Sequence, residues 1–121
     1  MHSSVLLDHF ENPRNAGELP VPALTVEVSN PVCGDILRLS ALIEAGRVTQ
    51  SAFKARGCTA CIAAGSVLTE LLASKDVALL KDIRKEDVDE ALGGLINESK
   101  HVAVLAIDAV RELEKKIGAA Q

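Results

Sequence analysis

Residues 30–69 read NPVCGDILRLSALIEAGRVTQSAFKARGCTACIAAGSVLT and contain all three cysteines of the chain. Cys33 stands in a turn-forming sequence two residues before Asp35, and Cys58 and Cys61 are spaced Cys-x-x-Cys. A compact fold can bring two or three thiols and the Asp35 carboxylate to one place, and this combination is typical of metal binding or thiol chemistry. The stretch therefore indicates a metal or sulfur site in outline.

Three segments around these turns alternate apolar and polar residues, as half-buried strands do: 24–29, 36–43 and 48–55. The link between the second and third segments, 44–47, is short and contains a glycine, which predicts an antiparallel hairpin. We therefore expect a three-stranded meander.

Helical spacing replaces this alternation after Cys58 and predicts a helix to about Ser74. An earlier short helix is predicted at 5–10, capped by a serine and stopped by Asn12-Pro13. The mixed-charge run 81–90 predicts a solvated helical face that stops at the following glycine pair.

The last predicted helix has the clearest pattern, with apolar residues at intervals of three and four. They are Val102, Leu105, Ala106, Ala109, Val110, Leu113 and Ile117. This stripe is predicted to cover one face of the sheet.

The composition sets limits on fold and function. A chain of 121 residues fits a single domain, 1–121, and with only 2% aromatic residues its core must be aliphatic. A net charge of -4 and the lack of a basic cluster interleaved with aromatics argue against nucleic acid. No leader sequence or membrane-spanning apolar stretch is found, so we expect a cytoplasmic protein. In that reducing compartment an odd number of cysteines favours metal binding or thiol chemistry over disulfides.

The roles of individual cysteines and histidines allow more than one interpretation. Cys58 lies where a strand gives way to a helix, and unpaired backbone N-H groups there favour a thiolate. Cys61 is either a second ligand or a small buried residue on the packed side of the helix. His101 is either a capping or hydrogen-bonding residue or a ligand, and His9 is expected to pack or hydrogen-bond beside the first helix. His2 lies near a terminus that is expected to fray.

Four motifs resemble those of the IscU/NifU-type iron-sulfur cluster assembly scaffolds. Residues 6–17 are similar to that family's N-terminal signature, 30–35 to its first ligand loop and 53–58 to its second. Residues 101–106 are similar to its third ligand segment, in which a histidine and a cysteine normally stand side by side. In this chain the cysteine position is occupied by Val102.

The resemblance implies an α+β fold, with helices packed on one face of a three-stranded antiparallel β-sheet. It also implies a site built from Cys33, Asp35, Cys58 and His101. Because valine supplies no ligand, this set is one soft donor short for a cluster, and Cys61 is our candidate for the missing thiolate. In this hypothesis the three cysteines supply thiolates and Asp35 or His101 is a labile ligand.

The function implied is assembly and transfer of iron-sulfur clusters, of the 2Fe-2S type, by a protein that is not an enzyme. Its expected partners are a cysteine desulfurase, which supplies sulfur, and apo iron-sulfur acceptor proteins. The Leu-Pro-Pro-Val-Lys stretch that some members present to an Hsp70-type chaperone is not matched at 95–100, which argues against such a partner. Two alternatives are a SufU-like sulfur acceptor that binds Zn²⁺ and a degenerate module that binds no metal.

Overall fold

Four α-helices and three strands make up the computed structural model, which describes residues 1–120. In chain order they are α1 (Ser4–Glu11), β1 (Leu24–Asn30), β2 (Asp35–Glu44), β3 (Arg47–Arg56), α2 (Thr59–Leu72), α3 (Lys85–Ala91) and α4 (His101–Ala120). Two short 3₁₀ segments, Val77–Asp82 and Asn97–Ser99, precede α3 and α4 respectively.

The three strands form one antiparallel sheet in the order β1-β2-β3, which confirms the predicted meander. Glu44 pairs with Arg47, so that only Ala45-Gly46 turns the hairpin. Both turn residues have positive φ, +52° and +74°, as a tight hairpin turn requires because its twist must match that of the strands.

Helices α2 and α4 pack on the same face of the sheet, and α1 packs on α2. Every residue of the apolar stripe predicted for the last helix is buried, which confirms the helix and its orientation. The core is aliphatic except for Phe53, whose ring leaves no room on α2 for a side chain at Gly65. A Cβ atom at Gly65 would lie 2.3 Å from a ring carbon of Phe53. The strand and helix can therefore approach closely only because position 65 is glycine.

The mixed-charge run is helical over a shorter length than predicted. A 3₁₀ segment ends at Asp82, and α3 begins only at Lys85. Ile83 and Val88 are buried, whereas most charged side chains of the run are exposed. Both apolar side chains of the run must reach the core. Because the helical structure is interrupted at Ile83, Ile83 and Val88 can each point toward the core independently.

His9 links α1 to α2 through buried polar contacts. Its Nδ1 lies 2.7 Å from the Ser66 hydroxyl, which also accepts the backbone N-H of Arg14 at 2.8 Å. On the other side of the ring, Nε2 lies 3.4 Å from a Glu70 carboxylate oxygen. The expectation that His9 hydrogen-bonds beside the first helix is confirmed, and the imidazole holds together α1, the loop after it and α2.

The free energy of unfolding is expected to fall as the pH drops below about 6.5, because burial lowers the pKa of His9 from its ordinary value of 6.5. The Arg14 charge acts in the same direction, while Glu70 and Asp8 oppose it. The unfolded chain then binds a proton at His9 more readily than the folded chain does. The contribution of neutral His9 to the free energy of unfolding is complete above the pKa that His9 has in the unfolded chain. It is lost as the pH falls from that pKa toward the lower pKa of the folded chain.

Urea denaturation followed between about pH 5 and pH 7.5 tests this prediction. His9→Asn retains a polar group near Ser66 but cannot titrate in this range, so its stability should depend less on pH than that of the parent. Equal pH dependence in the two proteins would assign the effect to other groups.

Candidate functional site

Asp35 is the centre of the candidate site. It is the first residue of β2 and is only 2% exposed. Its Oδ2 lies 2.9 Å from His101 Nε2 and accepts a long hydrogen bond of 3.8 Å from the Cys58 thiol. Its Oδ1 accepts the backbone N-H of Cys58 at 3.3 Å. These contacts offset the cost of burying a carboxylate, and they join three segments that are distant in sequence.

The sheet register explains how these residues meet. Ile36 pairs with Arg56, so the end of β3 lies beside the beginning of β2. The chain then turns at Gly57 and enters α2 with Cys58 as its N-cap residue. Gly57 has a φ of +147°, and a Cβ atom there would lie 2.1 Å from Oδ1 of Asp35. Only glycine allows the backbone to pass this close to the carboxylate.

The three donor atoms of Asp35, Cys58 and His101 all lie within 4.8 Å of one another. Ligands bound at about 2.0–2.3 Å to a tetrahedral ion lie roughly 3–4 Å apart, so a small contraction at most would place all three on one ion. One sulfur, one imidazole nitrogen and one carboxylate oxygen form a mixed set that suits zinc or iron. The residues present therefore fit a metal.

Cys33 lies outside this group of three. It is exposed and lies in the turn between β1 and β2, where the Asn30 side chain accepts the backbone N-H groups of Val32 and Cys33 at 3.1 and 3.4 Å. The turn carries Cys33 two residues from Asp35 and leaves its thiol accessible to solvent. Its predicted part in the site stays a prediction.

Cys61 also lies outside the group, in the first turn of α2. It is 1% exposed and belongs to the aliphatic core. Burial raises the pKa of its thiol to about 12, and the negative charge of Asp35 acts in the same direction. The sequence left open whether Cys61 is a second ligand or a small buried residue, and in the structure it is a small buried residue. Burial of the thiol argues against the third thiolate ligand predicted for Cys61, and reconstitution of a Cys61→Ala variant tests that prediction.

The expectation of a thiolate at Cys58 is wrong for the protein without metal. Although the residue is exposed, its thiol lies against Asp35 and is partly withdrawn from water. This desolvation, more than any other cause, raises the pKa of the Cys58 thiol, and the Asp35 charge adds to it. The backbone N-H groups of Cys61 and Ala60 lower this pKa, as the position at a helix start predicted, but they do not outweigh desolvation. Metal binding must therefore displace a proton from Cys58, which makes metal affinity depend on pH.

The position of His101 depends on tertiary packing. The residue pattern was compatible with either a capping or a ligand role for this histidine, and only the packing of α4 against the sheet brings its Nε2 to Asp35. The contribution of Gly57 was not identified from the sequence. Its signal was a glycine between a strand and an N-cap cysteine, a place where close backbone approach is common.

Fold and site together define a small α+β domain in which a thiol, an imidazole and a carboxylate lie close enough together to hold a metal ion. The family model of the NifU-like N terminal domain matches residues 1–117, and the chain belongs to this family. The iron-sulfur cluster assembly scaffold protein IscU 1 of Archaeoglobus fulgidus is 38% identical over 92% of this chain and 72% of its own length. The protein IscU of Rickettsia prowazekii, also named as such a scaffold, is 35% identical over 91% of this chain and 86% of its own.

Solved structures share the fold at lower sequence identity. FiSufU of Fervidobacterium islandicum AW-1, a candidate cluster assembly scaffold of the SUF system, has a TM-score of 0.70 at 18% identity, covering 91% of this chain and 93% of that one. The N-terminal part of a NifU-like protein from Brucella abortus has a TM-score of 0.63 at 20% identity, covering 93% and 78%. The fold expected from the resemblance is confirmed. Within residues 1–120, none of the helices has the length and apolar character needed to cross a bilayer.

Proposed function

We propose that this protein is a scaffold on which iron-sulfur clusters are assembled and from which they are transferred, with Cys33, Asp35, Cys58 and His101 as ligands. The observation that carries the proposal is the convergence of Asp35, Cys58 and His101 donor atoms within 4.8 Å, from three separate segments of the chain. Membership of the NifU-like N terminal domain family and the names of the relatives support the same function. The cluster is cargo, and we propose the 2Fe-2S type.

The ligands differ in how firmly they would hold this cargo. Thiolate sulfur from Cys58 and Cys33 is the soft donor that iron-sulfur clusters require. Asp35 and His101 supply harder oxygen and nitrogen atoms, and each has the other as an alternative hydrogen-bonding partner at 2.9 Å. Release of the cluster restores that hydrogen bond, which offsets part of the cost of losing the ligands. A site of this kind suits transfer rather than catalytic turnover, and we class the protein as a non-enzyme.

Sulfur is proposed to come from a cysteine desulfurase, and apo iron-sulfur proteins to receive the cluster. Cys33 and Cys58 are both exposed free cysteines, so both are open to a persulfide carried by a partner. Three free thiols suit a reducing compartment, and we propose the cytoplasm.

A second candidate function is a zinc-binding sulfur acceptor for a cysteine desulfurase. The mixed set of sulfur, nitrogen and oxygen donors within 4.8 Å of one another favours it, because zinc accepts such ligands without needing several thiolates. Elemental analysis of protein purified without added iron separates the two functions. Stoichiometric zinc that resists iron and sulfide would establish the acceptor, and replacement of zinc by a cluster would establish the scaffold.

Anaerobic reconstitution of Cys61→Ala with iron and inorganic sulfide tests the ligand set. We expect the iron content and the cluster absorption of the parent, because the Cys61 thiol is buried in the core and holds its proton tightly. A marked loss of either signal in a variant with parent-like secondary structure would instead make Cys61 the third thiolate.

A further inference from the structure

Cys58 and Cys61 form a pair whose second member the proposed metal site does not use. Cys58 is exposed and precedes α2 with an extended backbone, φ -72° and ψ 166°. Cys61 is buried directly behind it, at the third position of the helix. The pair thus places one thiol at the surface, within reach of a partner, and a second thiol where solvent and partners do not reach it.

The backbone holds the two cysteines close enough to be joined. The N-H of Cys61 donates to the carbonyl of Cys58 at 3.0 Å, closing a turn from the first residue to the fourth. Such a turn keeps the two Cα atoms within about 7 Å, the range that a disulfide can span. Because Cys58 precedes the helix, its side chain can rotate toward Cys61 without disturbing the helical hydrogen bonds. A disulfide across this first turn therefore needs no rearrangement of the fold.

We propose that Cys61 is a resolving thiol that converts a persulfide on Cys58 into sulfide. This inference rests on the proposed function, which supplies the persulfide through a cysteine desulfurase. The terminal sulfur of the persulfide anion takes the proton of the Cys61 thiol, and the resulting Cys61 thiolate attacks Sγ of Cys58. The bond between Cys58 Sγ and the terminal sulfur breaks, and that sulfur leaves with its proton as HS⁻. The sulfane sulfur is reduced by two electrons, and the two cysteines are oxidised to a disulfide.

This step delivers sulfide beside Asp35, whose Oδ2 lies 3.8 Å from the Cys58 sulfur. It also withdraws Cys58 from metal binding until an external dithiol reduces the disulfide. Cys58 therefore takes part first in sulfur reduction and only afterwards in metal binding. Metal binding by Cys58 begins when the external dithiol has reduced the disulfide. The buried position of Cys61 fits this role, since a thiol sealed behind Cys58 reacts with the persulfide formed there and not with other molecules.

The experiment uses the full chain without metal or reductant, treated with glutathione persulfide as the sulfur donor. For the parent we expect about one equivalent of sulfide per chain in excess of the reagent alone. Peptide mapping should show a disulfide between Cys58 and Cys61. For Cys61→Ala we expect at least about a tenfold lower yield of sulfide, with the extra sulfur atom retained on Cys58.

Val67→Ala is the matched control, because it also removes a buried side chain from α2 and leaves both thiols in place. It should release sulfide as the parent does. If Cys61→Ala does not fold, Cys61→Val supplies an apolar side chain for the same measurement. The inference is overturned if a folded Cys61 variant releases sulfide at the parent level, if the disulfide joins Cys33 instead, or if no persulfide forms on Cys58.

Cluster assembly with inorganic sulfide separates this inference from the proposed function, because it bypasses the persulfide. A parent and a Cys61→Ala variant that both assemble a cluster support the scaffold, whatever the persulfide experiment shows. A parent that assembles no cluster but converts persulfide to sulfide and the Cys58–Cys61 disulfide would refute the scaffold and retain the resolving role of Cys61.

Discussion

Cys58→Ser should lower the iron and sulfide bound after anaerobic reconstitution by at least about tenfold. Loss of a residue that merely orients a ligand costs about 10–100-fold in metal affinity, and Cys58 is proposed to be a ligand itself. In the structure its sulfur is the soft donor of the group formed with Asp35 and His101. A serine hydroxyl is a hard, weakly acidic oxygen and cannot replace a thiolate toward iron in a cluster.

Iron and sulfide analysis together with the visible absorption of the reconstituted protein measure this effect. Thr59→Ala is the matched control, since it changes the next residue at the start of α2 and removes no soft donor. Its cluster content should equal that of the parent. A Cys58→Ser protein with the cluster content of the parent would remove Cys58 from the site and with it the main support for the proposed function.

Gly57→Ala should lose metal binding and also lower the free energy of unfolding by about 1–3 kcal/mol. The backbone at Gly57 has a φ of +147°, a conformation that alanine adopts only with strain. In addition, the new Cβ would lie 2.1 Å from Oδ1 of Asp35, so that the carboxylate must leave its place beside Cys58 and His101. The strain lowers stability, and displacement of Asp35 disrupts the donor group.

Gly34→Ala separates these two effects. Gly34 also has a positive φ, +75°, but a Cβ atom there would meet nothing within 4 Å. It should therefore lose stability and still bind metal. Urea denaturation measures the stability of both variants, and zinc or iron titration measures their binding. If the two alanine variants bind metal equally well, close packing of Gly57 against Asp35 is not what positions the carboxylate.

Local sequence patterns predicted the secondary structure well where one face of an element is buried. The alternation in the three strands and the stripe on α4 both follow from burial of a single face, and both are confirmed. The run 81–90 was predicted less accurately because buried Ile83 and Val88 belong to separate short segments. Periodicity in a charged run does not show where the backbone breaks between two such anchors.

The family could also be recognised from the short motifs at 6–17, 30–35, 53–58 and 101–106, because each is a run of neighbouring residues that can be identified without the fold. The pKa and the burial of individual thiols in the site were harder to predict. The helix start at Cys58 was identified correctly, but the pKa of its thiol is raised and not lowered, because desolvation outweighs the backbone N-H groups. Likewise, the Cys-x-x-Cys spacing does not show that the second thiol faces the core.

The sequence by itself determined the three strands, the order of the helices and the residue types available for a metal site, because each depends on neighbouring residues in the chain. Only the tertiary structure decided that Asp35 contacts Cys58, 23 residues away, and His101, 66 residues away. It also decided that Cys58 is exposed while Cys61 is buried. Distances between separate segments and the removal of water from a thiol depend on how sheet and helices pack, and no local pattern contains that information.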